Sequence, residues 1–200
     1  DHFNGDKLDL QWMFPRPPEA CAYRLEDSKL FLRGSKEALS TTLARNILLR
    51  RQKHFVFSAQ TLMGLKDIKP NQDAGMICYY DENTWLKFGA FAMEDGSLIL
   101  KLVEHIGDKD IESTEQVEIN SDLGDIHLRI ETNYLSREFS YSFDNENYIK
   151  LTKLNNVYYL SDEGLDKGKR FTGAMVGMYA YRGNAELYVP FEYFLYKGDL

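Results

Sequence analysis

The sequence predicts an all-β protein, an antiparallel two-sheet β-sandwich that forms a single domain over residues 1–200. Short runs of alternating apolar and polar residues recur along the chain, which is the pattern of a strand with one buried face. Turn segments rich in Asp, Asn and Gly separate these runs at the spacing of hairpins. Aromatic residues make up 14% of the chain, and such side chains fit a pleated, half-buried surface.

Three runs show the alternation that predicts strands. Their expected buried positions are Phe55, Phe57 and Ala59 in the first run, Ile126, Leu128 and Ile130 in the second, and Leu187, Val189, Phe191, Tyr193 and Leu195 in the third.

Turn clusters between the runs are expected to close antiparallel hairpins. They are Asp81-Glu82-Asn83, Glu94-Asp95-Gly96 and Asp144-Asn145-Glu146-Asn147. Helical periodicity is almost absent, and a brief helix over Lys36–Leu43 is the one helix that the sequence suggests.

The composition excludes several classes of protein. A net charge of -7 with a pI near 5.2 argues against nucleic-acid binding, which relies on clustered Lys and Arg. The one basic cluster, Arg50-Arg51-Gln52-Lys53, is interpreted as a solvated strand entrance. No apolar run approaches the length of a membrane span. Cys21 and Cys78 are expected to be free, buried thiols, with a single bridge between them as the alternative.

Catalytic motifs are missing from the sequence. With 31 acidic residues, the presence of carboxylate pairs carries no information by itself. Catalytic glucanases with this type of sandwich carry a Glu-x-Asp-x-x-Glu strand motif, which places three carboxylates on one face. The motif does not occur here, so catalysis of that type is not predicted. The four histidines accompany no Gly-x-Ser-x-Gly elbow and no His-x-x-x-His or Cys-x-x-Cys pair, so neither nucleophilic catalysis nor a zinc site is predicted.

Sugar binding needs exposed aromatic faces, often with polar neighbours that contact hydroxyl groups. The candidates for a sugar-binding or interface role are Trp12, Phe14, Tyr79, Tyr80 and Trp85. The competing interpretation is that most of these side chains fill the core. A free-standing carbohydrate-binding module is therefore the alternative function.

Several segments in a fixed order resemble one known family, the C-terminal β-sandwich domain of β-xylosidases in glycoside hydrolase family 43. The segments that carry the resemblance are Asp1-His2-Phe3-Asn4-Gly5, Leu30-Phe31-Leu32-Arg33-Gly34-Ser35, Arg50-Arg51-Gln52-Lys53-His54-Phe55-Val56-Phe57, Asp73-Ala74-Gly75-Met76-Ile77-Cys78-Tyr79-Tyr80, Phe139-Ser140-Tyr141-Ser142-Phe143-Asp144, Phe171-Thr172-Gly173-Ala174-Met175-Val176-Gly177-Met178 and Phe191-Glu192-Tyr193-Phe194-Leu195-Tyr196.

This resemblance implies a concanavalin-like jelly roll that packs against an N-terminal five-bladed β-propeller. In the family the propeller holds all catalytic acids, so this chain alone is expected to be inactive, as the accessory part of an enzyme that hydrolyses O-glycosyl bonds in xylan or hemicellulose. The start at Asp1 without a methionine suggests a piece of a longer chain. Homo-oligomers and a cytoplasmic location are further expectations from the resemblance.

The resemblance also implies that the loop before Ala74-Gly75 reaches into the propeller's pocket, where the family places an aromatic residue. Pro70 stands at that position here. The parent is therefore a xylosidase, an arabinofuranosidase, a galactosidase or a bifunctional relative. The candidate substrate-loop residues are Ile68, Lys69, Pro70, Asn71 and Gln72.

Concanavalin-like carbohydrate modules often hold a structural calcium ion, which requires six to eight oxygen ligands. By this analogy the candidate ligands are Asp1, Asp6 and Glu192. The family's Asp-Phe-Asp pattern is here Pro190-Phe191-Glu192, which removes one carboxylate.

Overall fold

The computed structural model describes residues 1–165 and 172–199, and strands dominate it. One sheet has seven antiparallel strands in the order β1-β2-β13-β4-β9-β10-β11. Its strands are β1 (Tyr23–Glu26), β2 (Lys29–Arg33), β4 (Val56–Gly64), β9 (Asp125–Asn133), β10 (Ser136–Ser142), β11 (Ile149–Leu154) and β13 (Tyr188–Gly198).

The second sheet has six antiparallel strands in the order β3-β12-β5-β6-β7-β8 and packs face to face on the first. The strands of this second sheet are β3 (Ile47–Arg51), β5 (Asp73–Asp81), β6 (Thr84–Ala92), β7 (Leu98–Ile106), β8 (Lys109–Ile119) and β12 (Met175–Tyr181). The predicted two-sheet sandwich is confirmed. Phe171, which belongs to one of the segments that carry the family resemblance, lies outside the described residues.

Helical structure in the described part of the chain consists of short 3-10 turns: Ser121–Leu123, Tyr158–Leu160 and Asp162–Gly164. Over those same residues, no helix has the length and apolar character that crossing a bilayer requires.

Strand direction alternates, so the connections gather at two ends of the sandwich. The β4–β5 loop (residues 65–72) lies at the same end as the β6–β7 turn (93–97) and the β8–β9 connection (120–124). We call this end of the sandwich the loop end. The β9–β10 turn at Tyr134 and Leu135 lies at the opposite end. Nine residues of β4 pair with β9, so about 30 Å separates the two ends.

The core between the sheets follows the predicted alternation. Ile126, Leu128 and Ile130 are fully buried, as predicted. Phe88 of one sheet meets Phe139 of the other edge to face, with ring centroids 5.5 Å apart. Burial of each such side chain stabilises the fold by about 1.5–3 kcal/mol.

Three predicted core positions, Phe55, Tyr193 and Leu195, are wrong for identifiable reasons. Phe55 is exposed because β4 begins one residue later, at Val56. Tyr193 is only partly buried, on the outer face, and Leu195 is exposed, because the register of β13 against β4 shifts between Phe191 and Tyr193. An extra residue at such a bulge moves the following side chains to the other face, so Phe194 enters the core instead.

The predicted helix over Lys36–Leu43 is also wrong, because the segment forms successive turns. The N–H of Thr41 donates to the carbonyl of Ala38, and that of Ala44 donates to the carbonyl of Thr41. Leu39 and Ala44 are both buried against the outer face of the six-stranded sheet. An α-helix would rotate residues five positions apart by about 140° and could not bury both.

The two cysteines are free thiols, as predicted, and no bridge joins them. Cys78 on β5 is buried, and burial raises the pKa of its thiol. Cys21 is exposed, which corrects the prediction that both are buried, because it lies in a turn before β1 with φ 58°.

The six-stranded sheet is buried on its outer face as well as on its inner face. This outer layer includes Ile77, Tyr79, Trp85 and Tyr179. Because both faces are covered, every residue of β5 is buried, and no simple alternation marks that strand.

A glycine pair lets β5 and β6 accommodate this outer layer. Gly75 and Gly89 are cross-strand partners, and Tyr179 of β12 is the partner of Gly75 on its other side. A Cβ atom on Gly75 would lie 2.1 Å from the carbonyl oxygen of Phe88, and one on Gly89 would lie 2.0 Å from that of Ala74. Only glycine therefore fits at either position.

We expect Gly75→Ala to reduce the free energy of unfolding by about 3 kcal/mol or to prevent folding, because the new methyl group overlaps a paired strand. Urea unfolding followed by circular dichroism measures the change. Gly5→Ala is the control, because its Cβ would have no neighbour nearer than 3.4 Å. Equal stability of the two variants would contradict this account.

Candidate functional site

The β4–β5 loop (residues 65–72) crosses from the seven-stranded sheet to the six-stranded sheet as two turns. Ile68 N–H donates to the Leu65 carbonyl at 3.2 Å, and Gln72 N–H donates to the Lys69 carbonyl at 3.0 Å. Leu65 N–H also donates to the carbonyl of Gly124 at 2.9 Å. These bonds attach the loop to the β8–β9 connection and give it a defined path.

The five predicted loop residues divide into a tip and a base. Lys69, Pro70 and Asn71 are exposed and form the tip, whereas Ile68 and Gln72 are buried. Ile68 packs into the main core and Gln72 is almost completely buried, so neither side chain is presented at the surface. Of the five predicted residues, only the three at the tip have exposed side chains.

Backbone pairing continues from the sheet into the tip. Asn71 N–H donates to the carbonyl of Ala92 at 2.9 Å, and Ala92 N–H donates to the carbonyl of Gln72 at the same distance. Asn71 adopts φ 64°, a left-handed conformation that Asn tolerates better than most residues. The tip is therefore a pre-formed turn at the end of β5 and β6.

A four-residue ion-pair network lies at the base of the loop. Arg33 Nη2 contacts Glu186 Oε1 at 2.7 Å, and Arg182 Nη1 contacts the same oxygen at 3.5 Å. Both arginines also approach Glu19 Oε2, at 3.5 Å and 3.8 Å. The hydrogen bond from Arg33 lowers the pKa of the Glu186 carboxyl group. Since Gln72 Nε2 donates to the Arg182 carbonyl at 3.2 Å, the loop is attached to this network.

Exposed apolar side chains occur close to the loop. Met93 follows the last residue of β6, whose backbone pairs with the loop, and Leu123 belongs to the β8–β9 connection, which hydrogen-bonds to the loop. Phe143 and Ile149 lie at the same end in the β10–β11 hairpin. A second group, Phe55, Tyr134, Leu135 and Tyr158, is exposed at the opposite end.

A shallow hollow of about 250 Å³ adjoins the loop on the outer side of the seven-stranded sheet. Asp67 and Lys69 line one side of it. On the other side the Arg24 guanidinium lies 4.2 Å from the ring centroid of Phe31 and 4.8 Å from that of Tyr188. The arginine covers these rings, which leaves no open aromatic platform in the hollow.

The aromatic candidates from the sequence do not form a sugar-binding face. Trp12, Tyr80 and Trp85, with Tyr79, are buried, and Phe14 is half-buried against Tyr23. The prediction that these aromatic side chains are exposed contacts for a sugar or an interface is therefore wrong. They pack within this chain.

The polar groups of two of these aromatics have partners inside the domain. Trp12 Nε1 donates to Asp1 Oδ2 at 2.7 Å, and its ring meets Phe194 edge to face. Tyr80 Oη donates to a carboxylate oxygen of Asp162. These contacts fix both side chains as structural elements, since a buried polar group needs a partner.

The calcium candidates do not assemble into a cation site. Asp1 accepts hydrogen bonds on both carboxylate oxygens, from Phe3 N–H at 2.8 Å and from Trp12. Glu192 pairs with Lys29 at 2.5 Å, and Asp6 is exposed. Across the described parts of the chain, no group of three or more His, Cys, Asp or Glu side chains is arranged to hold a metal ion. The donor set therefore does not fit an ion that needs six to eight oxygens.

The outer face of the seven-stranded sheet carries a polar cluster around Tyr193. Its hydroxyl group contacts His127 Nδ1 at 2.7 Å and accepts a hydrogen bond from Gln60 Nε2 at 2.8 Å. The Arg129 guanidinium lies 3.3 Å from the ring centroid of Tyr148, whose pKa burial raises to about 12. Because these groups bond to one another, they stabilise the sheet and leave few polar atoms for a ligand.

Burial lowers the pKa of His127 within this cluster, although three carboxylates nearby act in the opposite direction. The folded protein therefore favours the neutral imidazole. Those carboxylates belong to Asp125, Asp144 and Glu192.

The two antiparallel sheets, packed face to face, give the chain the architecture of a concanavalin-like domain. A family model described as the β-xylosidase C-terminal concanavalin A-like domain matches residues 1–197. The chain belongs to this family, the accessory C-terminal domains of glycoside hydrolase family 43 β-xylosidases.

The chain spans less than two fifths of the length of the curated relatives that it matches. It is 26% identical over 204 residues to a putative β-xylosidase of Escherichia coli, a match that covers 98% of the chain and 38% of that protein. It is 27% identical to xylosidase/arabinosidase 43B of Humicola insolens, over 97% of the chain and 37% of that protein. The solved structure of the family 43 protein BlXynB from Bacillus licheniformis matches with a TM-score of 0.90 at 29% identity, over 100% of the chain and 39% of that protein.

We expect His127 to make stability depend on pH. The unfolded histidine has a pKa near 6.5 and the folded one a lower pKa, so the unfolded state binds more protons between these values. The stabilising contribution of the neutral imidazole is present above about pH 6.5 and is lost as the pH falls toward the folded pKa.

Urea unfolding of the wild-type chain and of His127→Gln at pH 8 and pH 5 tests this expectation. The wild-type chain should lose more stability than the variant between the two pH values, because carboxylate titration is common to both. An equal loss in the two proteins would show that His127 is not responsible.

Proposed function

We propose that this chain is the accessory domain of a family 43 glycoside hydrolase. The loop end packs against the catalytic five-bladed propeller, and the tip Lys69–Asn71 enters the propeller's substrate pocket. The observation that carries the proposal is the exposed, hydrogen-bonded tip, which follows a buried base and lies beside exposed apolar side chains.

The surface around the loop supports this docking. Met93 and Leu123 are exposed on the two connections that share this end with the loop, and burial of such side chains would favour association. The chain also spans about 38% of the length of its curated relatives, which leaves most of each relative for further structure.

In this arrangement the propeller holds the catalytic acids, and the accessory domain shapes the pocket. A loop that closes a pocket excludes water and limits access to chain ends, which favours the release of single sugars from short oligosaccharides. This chain contributes no catalytic residue, and alone it should not hydrolyse glycosides.

The tip chemistry bears on the substrate of the parent enzyme. Pro70 offers a small apolar surface where the family places an aromatic ring, and Lys69 and Asn71 add a cation and an amide. We propose a parent that acts on xylosides or arabinosides of hemicellulose, in keeping with the names of the E. coli and Humicola insolens relatives. Kinetics of the parent on aryl xylosides and aryl arabinofuranosides would separate these substrates.

The docking surface can be tested with matched variants at the two ends. Leu123 (55% exposed, loop end) and Leu135 (45% exposed, opposite end) are each changed to Asp in this chain. We expect Leu123→Asp to weaken binding to the separately produced catalytic propeller of the parent by about tenfold, or about 1.4 kcal/mol, and Leu135→Asp to leave it unchanged. Isothermal titration calorimetry measures both affinities.

Both substitutions are at exposed positions, so the variants should fold like the wild-type chain, which circular dichroism verifies. Equal weakening by the two variants, or a stronger effect of Leu135→Asp, would rule out docking through the loop end. Absence of any binding by the wild-type chain would rule out the accessory role itself.

A further inference from the structure

The side chain of Gln72 joins the loop tip to the rest of the domain. Its Oε1 accepts a hydrogen bond from Lys69 N–H at 3.0 Å, and its Nε2 donates to the Arg182 carbonyl at 3.2 Å. Only 2% of the residue is exposed. One orientation of the amide satisfies both partners, because the first supplies a donor and the second an acceptor.

The partner at the far end of this link is itself fixed. Arg182 N–H donates to the Ser35 carbonyl at 2.9 Å, and the Arg182 guanidinium approaches Glu19 and Glu186 in the network at the loop base. A movement of the tip would therefore break bonds to a part of the structure that is anchored on two sides.

We propose that Gln72 is a positioning residue that fixes the conformation of the tip Lys69–Asn71. Its functional value rests on the proposed function, in which the tip enters the pocket of the propeller. The positioning role is a property of this chain alone, and it can be tested without the catalytic domain.

The amide of Asn71 is the sensor for the test. It donates to the carbonyl of Ala92 and not to the Gln72 side chain, so its protection changes only if the tip loosens. Hydrogen exchange followed by NMR on the full 200-residue chain reports this protection. In Gln72→Met, which keeps length and removes both hydrogen bonds, we expect Asn71 to exchange about tenfold faster, with core amides of β9 unchanged.

Gln60→Met is the matched control. Gln60 also uses both ends of its amide, toward Tyr193 and Arg129, but it lies on the outer face of β4 away from the loop. The control should leave Asn71 exchange unaltered. Unchanged exchange of Asn71 in Gln72→Met, or equal acceleration in Gln60→Met, would overturn the positioning role.

Gln72→Glu adds a readout that a simple packing role would not give. A protonated carboxyl group offers one acceptor and one donor, like the amide, whereas the carboxylate faces the Arg182 carbonyl with no donor. We expect Asn71 protection in Gln72→Glu, corrected for intrinsic exchange, to rise as the pH is lowered. A pH-independent protection factor in this variant would contradict the inference.

Measurement of kcat/KM for the parent enzyme then tests the proposed function separately. If Gln72→Met speeds Asn71 exchange and lowers kcat/KM about tenfold while Gln60→Met does not, both proposals are supported. If exchange is faster but kcat/KM is unchanged, Gln72 still positions the tip, and the contact between tip and substrate pocket is wrong.

Discussion

The crossing of the β4–β5 loop from one sheet to the other is the constraint on which the site depends. Sheets of a sandwich lie about 10 Å apart, and eight residues must cover that distance and deliver β5 in register. The chain does this with two turns, a buried Ile68 and the paired backbone of Asn71 and Ala92. The loop conformation is therefore determined by the same contacts that hold the two sheets together.

Strand pairing also separates the two apolar ends of the domain. β4 and β9 pair along their whole length, so Leu123 and Leu135 stand at opposite ends of a rigid body. A domain docked at the loop end would leave the exposed pair Phe55 and Tyr134 uncovered at the other end. The two rings lie parallel there, 6.0 Å apart, and partly shield one another from water.

The sequence was sufficient for the fold class but not for the side-chain placement at irregular points. Alternation correctly identified Ile126, Leu128 and Ile130, because β9 has one buried face. It failed after Phe191, where a bulge reverses the faces. The sugar or interface role considered for Trp85 failed because its sheet is covered on both sides. Neither a bulge nor a second covering layer leaves a local periodic signal. Within the site, the resemblance to the family located the loop, whereas the buried role of Gln72 depends on Arg182, which is distant in sequence.

The division of the loop into tip and base has a consequence for how such domains diverge. Folding depends on Ile68, Gln72 and the backbone bonds, and the side chains of Lys69 and Pro70 contribute little to it. Substitutions at these two positions should therefore change the side-chain chemistry of the tip with little effect on the free energy of unfolding. Asn71 is less free, since its left-handed backbone favours Asn, Asp or Gly. If the tip enters the substrate pocket as proposed, substitutions at these two positions would change the surface offered to the sugar while the contacts that hold the loop stay the same.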